Sequence, residues 1–245
     1  MKALANQVQA ELKLFLRARE EVFFTILLPL GMVTLFGYLN REGQVGEISY
    51  PSFLLTGGIG MVVVSAAIEN LGAALARERD DGILKRLGGT PLRVWTLVGA
   101  KVLAAAIIIL AQALLMIAMG VLFFNAEITG NLLWTIVVLW AGILAFAAMG
   151  FALAGLLPNA DAASAAAHLI VLPMQFLCDT FFPIEEMPSL LKTIAQMLPL
   201  TYFVNALRGA LVAGGGSGSY ARDWLILLGC LVVSFAVAVR TFRWE

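Results

Sequence analysis

Six apolar runs dominate this sequence: Val22–Leu39, Phe53–Ala76, Val94–Phe124, Leu132–Leu157, Ala162–Cys178 and Trp224–Val239. Crossing roughly 30 Å of hydrocarbon takes about 20 helical residues. Lipid offers no partner to backbone N–H and C=O groups, so a spanning segment satisfies them internally as a helix or joins a closed barrel. The short alternation of barrel strands is absent. The chain therefore reads as an all-α integral membrane protein with six transmembrane helices. Composition agrees, since 61% of the 245 residues are hydrophobic and 13% are charged, against about a quarter charged in globular chains. No soluble domain fits, and residues 1–245 form one transmembrane domain.

Charge placement sets the orientation. With a cytoplasmic N-terminus, Lys2, Lys13, Arg17, Arg19, Arg77, Arg79, Lys85, Arg86, Arg93, Lys101, Arg240 and Arg243 lie inside, and Arg41, Lys192, Arg208 and Arg222 lie outside. Basic residues concentrate on the cytoplasmic side of membrane proteins, so both termini are expected there. Residues 1–21 have no apolar core and no small-residue cleavage site, unlike a signal peptide. Asn6, Gln9, Lys13, Arg17 and Glu20 instead form a polar stripe opposite Leu4, Val8, Leu12 and Phe15. This is the pattern of an interfacial amphipathic helix, or of an extension of the first span.

Between Asp179 and Asp223 the apolar pieces Leu190–Leu198 and Thr201–Val212 are too short to span and are separated by Pro199. Apolar segments of this length suit re-entrant or interfacial helices. Residues 179–223 are read as an outer re-entrant helical hairpin, joined to the last span by the flexible "GGGSGS" at 214–219.

The stretch "RERDDGILKRLGGTPLR", residues 77–93, holds eight of the 32 Asp, Glu, Lys and Arg residues. Asp80 or Asp81 can cap a short helix, with Lys85 and Arg86 near its C-terminal end, where cations suit the dipole. Gly88 and Gly89 stop it. Thr90 and Pro91 suit the cap and first position of the next helix. Ile83, Leu84 and Leu87 share one face at i, i+1, i+4 spacing, ringed by charge. Such a knob fits a groove on a soluble partner. An ordinary charged cytoplasmic loop would have the same composition.

The segment "ERDDGILKRLGGTPLR" resembles the "E-R-x-x-G-x-L-x-x-L-x-x-T-P" pattern of the ABC type-2 exporter permeases, matched at Glu78, Arg79, Gly82, Leu84, Leu87, Thr90 and Pro91. "LPLTYFVNALRGALVAG", 198–214, is similar to the segment before the last span in the same family, with Pro199, Tyr202, Asn205, Leu207 and Arg208 matching. Ile83 stands where Thr is frequent in that family. The resemblance covers nearly the whole chain. It implies that residues 78–91, Asp81, Ile83 and Lys85 among them, form a coupling helix seated on a separate ABC ATPase subunit. The chain has no G-x-x-x-x-G-K-[ST] loop to cradle nucleotide phosphates. ATP and Mg are then handled by the partner, and this chain carries no cofactor of its own. The resemblance further implies two ATPase copies and a second permease copy, identical or a close paralogue.

Polar residues inside the spans are candidates for a pathway or gate. Ser164, His168, Gln175 and Asp179 follow at spacings of four, seven and four, along one face of the fifth span. They line a route, or they supply interhelical hydrogen bonds. Pro173 is a candidate kink. Glu69 shares a face with Ser65 and Gly72, and either pairs with a cation or forms part of an inner gate. Gly142 and Gly150 suit close helix packing. Gln112 receives no role. Asp179, Glu185 and Glu186 also read as a solvated turn between Pro183 and Pro188.

One His without a nucleophile makes no triad, there is no metal-ligand spacing, and Cys178 and Cys230 read as free buried thiols. No catalytic set is found; the net charge of zero argues neither for nor against an acidic or basic partner, and no nucleic-acid partner is expected. The expected function is an ATP-driven exporter permease in a bacterial inner (cytoplasmic) membrane. It would move an amphipathic substrate (drug, lipid or lipid-linked glycan) and contact membrane lipid. An ion-coupled secondary transporter would show repeated halves and midplane carboxylates; this chain has no evident repeat and few deep carboxylates. A non-transporting membrane scaffold is the remaining alternative.

Overall fold

A computed structural model describes residues 2–88, 94–212 and 221–241. The chain is mostly helical, at 85%. Among the described residues, five helices are long and apolar enough to cross a membrane: Tyr50–Asp80, Trp95–Phe124, Leu132–Leu156, Ala160–Leu177 and Ala221–Thr241. The first apolar run is different. It runs from the end of α2 (Arg19–Val22) through a π turn over Phe23–Leu27 into α3 (Leu28–Leu39). Arg19, Glu20 and Glu21 come just before the run, in α2, and the apolar helix is the short Thr25–Leu39. The N-terminal helix α1 (Lys2–Arg17) is an element of its own, broken from α2 at Ala18 and packed along α7 (Val94–Phe124).

The helical fold carries one small feature of another kind. Strands β1 (Gln44–Val45) and β2 (Ile48–Ser49) form a small antiparallel hairpin after the first helix, with Gln44 opposite Ser49 and Val45 opposite Ile48. Gly46 sits at φ +60° in its two-residue turn, where a side chain is disfavoured.

The core is built around the second apolar run. There α4 (Tyr50–Val64), a π turn over Ser65–Asn70 and α5 (Leu71–Asp80) make one continuous rod. Its most apolar stretch is 94% buried inside the protein, against 11% for α12 (Ala221–Thr241). Glycines let neighbours reach the rod. A Cβ on Gly72 would lie 3.0 Å from the Gly150 carbonyl oxygen of α8 (Leu132–Leu156), and one on Gly60 would lie 2.6 Å from Val204 Cγ2. Gly142 likewise leaves room for the Phe203 ring, which meets Phe146 edge-on at 5.7 Å.

Val204 and Phe203 belong to α11 (Pro199–Leu211), which follows the short α10 (Ser189–Met197). Phe203, Val204 and Leu207 of α11 are fully buried between the rod and α8. Helix starts are set by short polar caps, with Asn131 accepting from Leu133 N at 2.9 Å and Asn159 accepting from Ala162 N at 2.8 Å to open α9 (Ala160–Leu177). The "GGGSGS" linker, Gly89, Thr90, Pro91, Arg93 and Arg243 lie outside the described residues, as does the side chain of Leu87.

Candidate functional site

The charged stretch is built by a turn at Gly82. The last turn of α5 closes with Asp81 N donating to Arg77 O at 2.9 Å and Gly82 N to Arg79 O at 3.0 Å. Gly82 has φ +67°, a conformation that costs glycine little and other residues more. Its own carbonyl accepts from Arg86 N at 3.1 Å, which starts α6 (Ile83–Gly88).

Two expectations change here. Asp80 and Asp81 do not cap α6: Asp80 Oδ2 accepts from Ala160 N at 2.6 Å and so caps α9 instead. Leu84 does not share an outward face with Ile83. It is 1% exposed and packs with Leu75, Ala76, Leu97, Ala154 and Ala163. A six-residue helix lying against a bundle buries one side, and Leu84 is the residue that side presents. Asp81, Ile83, Lys85 and Arg86 remain exposed.

Glu78 and Arg79 also turn inward. Glu78 Oε1 accepts from Lys101 Nζ at 2.6 Å, and the same ammonium donates to Glu11 Oε1 at 2.9 Å. Arg79 Nη1 donates to Ala154 O at 2.6 Å, and its guanidinium also pairs with Asp80 Oδ1 at 3.1 Å. The stretch is thereby fixed to α1, α7, the end of α8 and the start of α9. Beside Lys101 a cavity of about 400 Å³ opens between α1, the rod and α7, with Phe15, Leu71 and Ile83 in its walls.

Lys101 was missed as a site residue because it counted only as one more inside charge. The signal was available: it is the sole charged residue in Val94–Phe124.

The intramembrane candidates do not form one line. Gln175 is buried and donates to Ser65 Oγ at 2.6 Å, bridging α9 to the rod. His168 is exposed on this chain, with Nδ1 2.7 Å from Ser164 O. Glu69 lies in the π turn beside Ser65, with His168 of α9 as a neighbour. Asp179 lies past the end of α9 at φ +57°. It is neither a solvated turn residue nor in line with His168. Its Oδ1 accepts from Ile184 N at 2.9 Å, and Oδ2 pairs with Arg208.

Arg208 is the hub of the hairpin end. It also donates to Asp179 O at 2.9 Å, to Thr56 Oγ1 at 3.2 Å and to Asn205 Oδ1 at 3.5 Å, with its guanidinium 4.2 Å over the Phe53 ring. Pro199 opens α11, and Tyr202 Oη donates to Gln196 O at 2.5 Å, closing the α10–α11 corner. Gln112 acquires a role the sequence did not suggest. Its Nε2 donates to Thr25 O at 3.1 Å, while Asn70 Nδ2 donates to Thr25 Oγ1 at 3.1 Å, so the two π turns meet through one threonine.

An inward Glu-Arg pair before a glycine turn, a short helix with exposed charge and a buried α11 extend across most of the chain, and so does a family match. The model of the ABC-2 type transporter matches residues 5–212. The chain belongs to the ABC-2 type transporter family. Nodulation protein J of Bradyrhizobium diazoefficiens is 30% identical over 215 residues, covering 85% of this chain and 79% of that protein. Nodulation protein J of Neorhizobium galegae is 28% identical over 207 residues, covering 82% and 76%. Inner membrane transport permease YhhJ of Escherichia coli is 24% identical over 184 residues, covering 74% of this chain and 49% of that protein. Against Nodulation protein J of Rhizobium leguminosarum bv. trifolii the match spans 63% of the relative's length. As a member of this family the chain is a transport permease, and its polar clusters hold helices of the bundle together.

Proposed function

We propose that this chain is the transmembrane subunit of an ATP-driven exporter, working with a separate ATPase that binds ATP and Mg. The family match carries the reading, and the anchored charged stretch gives it a mechanism. A partner that grips the exposed side of α6 would displace Glu78, Arg79 and Asp80 directly, because Gly82 joins them to α6 with no intervening loop. Thr90 and Pro91 would complete the coupling segment. Two permease copies with two ATPase copies would share the work. Exposed His168, Leu169 and Leu172 on α9 suit a route or interface between copies.

In this reading the first helix also spans, giving six crossings in a bacterial inner membrane with both termini cytoplasmic and the α10–α11 hairpin outside. The walls are apolar, so the cargo is amphipathic: a drug, a lipid or a lipid-linked glycan. Likeness to an inner membrane transport permease accords with transport across that membrane.

The test is co-expression with the ATPase encoded beside it. The subunits are expected to co-purify, and Ile83→Asp is expected to reduce both association and ATP hydrolysis. Failure of any ATPase to associate, or an Ile83→Asp complex with unchanged hydrolysis, sinks the coupling reading.

A further inference from the structure

Lys101 is 2% exposed, and a lysine this deep is rare unless paired. Its ammonium meets two carboxylates from different elements, Glu11 of α1 and Glu78 of α5, while Lys101 itself stands on α7. Glu11 is held in place by Gln7 Nε2 at 3.2 Å. The two helices that flank the charged stretch, α5 before it and α7 after it, are therefore bolted together, and the same bolt holds α1. A second contact runs parallel, since Leu4 of α1 lies against Gly99 of α7. Removing one member of such a cluster leaves a buried charge without its partner, which is more disruptive than the loss of a surface pair.

We propose that Lys101 is a positioning residue that makes α1, the end of α5 and the start of α7 a single rigid unit. A displacement imposed on α6 then carries the N-terminal helix with it. Helix α1 is a moving lever arm in this scheme, and its exposed Leu14 and Leu16 sweep through whatever borders it. The proposal rests on the coupling reading for its driving force, but the rigid unit itself does not.

The experiment measures the distance between spin labels on Gln9→Cys of α1 and Trp95→Cys at the start of α7, both exposed sites that lie off the α6 surface gripped by the ATPase. The background carries Cys178→Ala and Cys230→Ala. In the reconstituted complex with its ATPase, the distance is expected to stay the same in nucleotide-free and ATP-trapped states. In Lys101→Met it is expected to shift between the states with a broadened distribution, and Lys101→Arg is expected to restore the single distance. If Lys101→Met does not accumulate, Glu11→Gln is the milder variant and is expected to show the same broadening. A nucleotide-dependent distance in the unmodified complex, or identical traces with and without Lys101, overturns the proposal. If no ATPase associates, the coupling reading has failed. The permease alone then decides on the rigid unit: a broadened distribution in Lys101→Met supports it, and an unchanged one rejects it. A purely local packing role would lower thermal stability without altering the label distance.

Discussion

Arg208 on α11 grips Asp179 at both its carboxylate and its main-chain carbonyl oxygen, and so ties the hairpin to the end of α9. Both side chains are largely buried. Asp179→Asn leaves the guanidinium without its counter-charge, a loss of about 3–5 kcal/mol for a buried pair. The expected outcome is a marked fall in the melting temperature of the purified protein. Arg208→Lys is expected to fail as a rescue, because one ammonium cannot reproduce a planar fork. Melting curves of the single and double variants check this, and additive losses would argue that the two residues do not interact.

Leu84 and Ile83 are neighbours with opposite fates. Replacing buried Leu84 with alanine is expected to cost about 2–5 kcal/mol of stability, since it sits among Leu75, Ala76 and Leu97. Ile83→Ala, at a site 39% exposed, is expected to stay within about 0.5 kcal/mol of the parent. Thermal melts of the two variants without the ATPase distinguish them, and equal losses would contradict the inward placement of Leu84.

Gly57 is pressed against the backbone of Thr180, where a Cβ would collide with the carbonyl oxygen and Cα. Backbone cannot swing aside as a side-chain tip can. Gly57→Ala is expected to destabilise by about 1–3 kcal/mol through overpacking and to lower the yield of folded protein. Gly31→Ala meets nothing within 4 Å and is expected to be neutral or to stabilise by up to about 1 kcal/mol through helix propensity. Fluorescence-detected size exclusion of both variants, followed by melting, makes the comparison.

Ser189, exposed at the start of α10, reports the orientation proposed for the membrane. With Ser189→Cys in a Cys230→Ala background, a membrane-impermeant maleimide is expected to label intact cells from outside. Cys178, fully buried, is expected to stay silent in folded protein. Labelling of Ser189→Cys only after the cytoplasmic face is opened would reverse the topology.

The long helices were legible because length and apolarity alone define them, and α10 and α11 because Pro199 divides two segments too short to cross. The β hairpin at 44–49 is too brief for periodicity to register. The direction in which Leu84 points was not legible either, because residues spaced i, i+1 and i+4 mark a face without saying what covers it. The π turns escaped for another reason. Each alters the hydrogen-bond step, so faces counted at a regular period drift beyond Ser65. The spacing grouped Ser65, Glu69 and Gly72, yet Ser65 meets Gln175 while Gly72 meets Gly150. Lys101 and Arg208 showed as charges in the sequence, but their partners are set only by the fold: Glu11 lies 90 residues before Lys101 and Asp179 lies 29 before Arg208.

The rod at the centre of the bundle has a consequence for how the protein is made. Tyr50 bonds Phe181 across 131 residues, Thr56 bonds Arg208 across 152, and Ser65 bonds Gln175 across 110. At about 5–20 residues per second on the ribosome, these partners arrive roughly 5 to 30 seconds after the rod itself. During that wait its glycines and hydroxyls face surroundings that the finished fold never gives them. The rod therefore reaches its native packing only after the later segments have emerged, and its burial is among the last steps of assembly rather than the first.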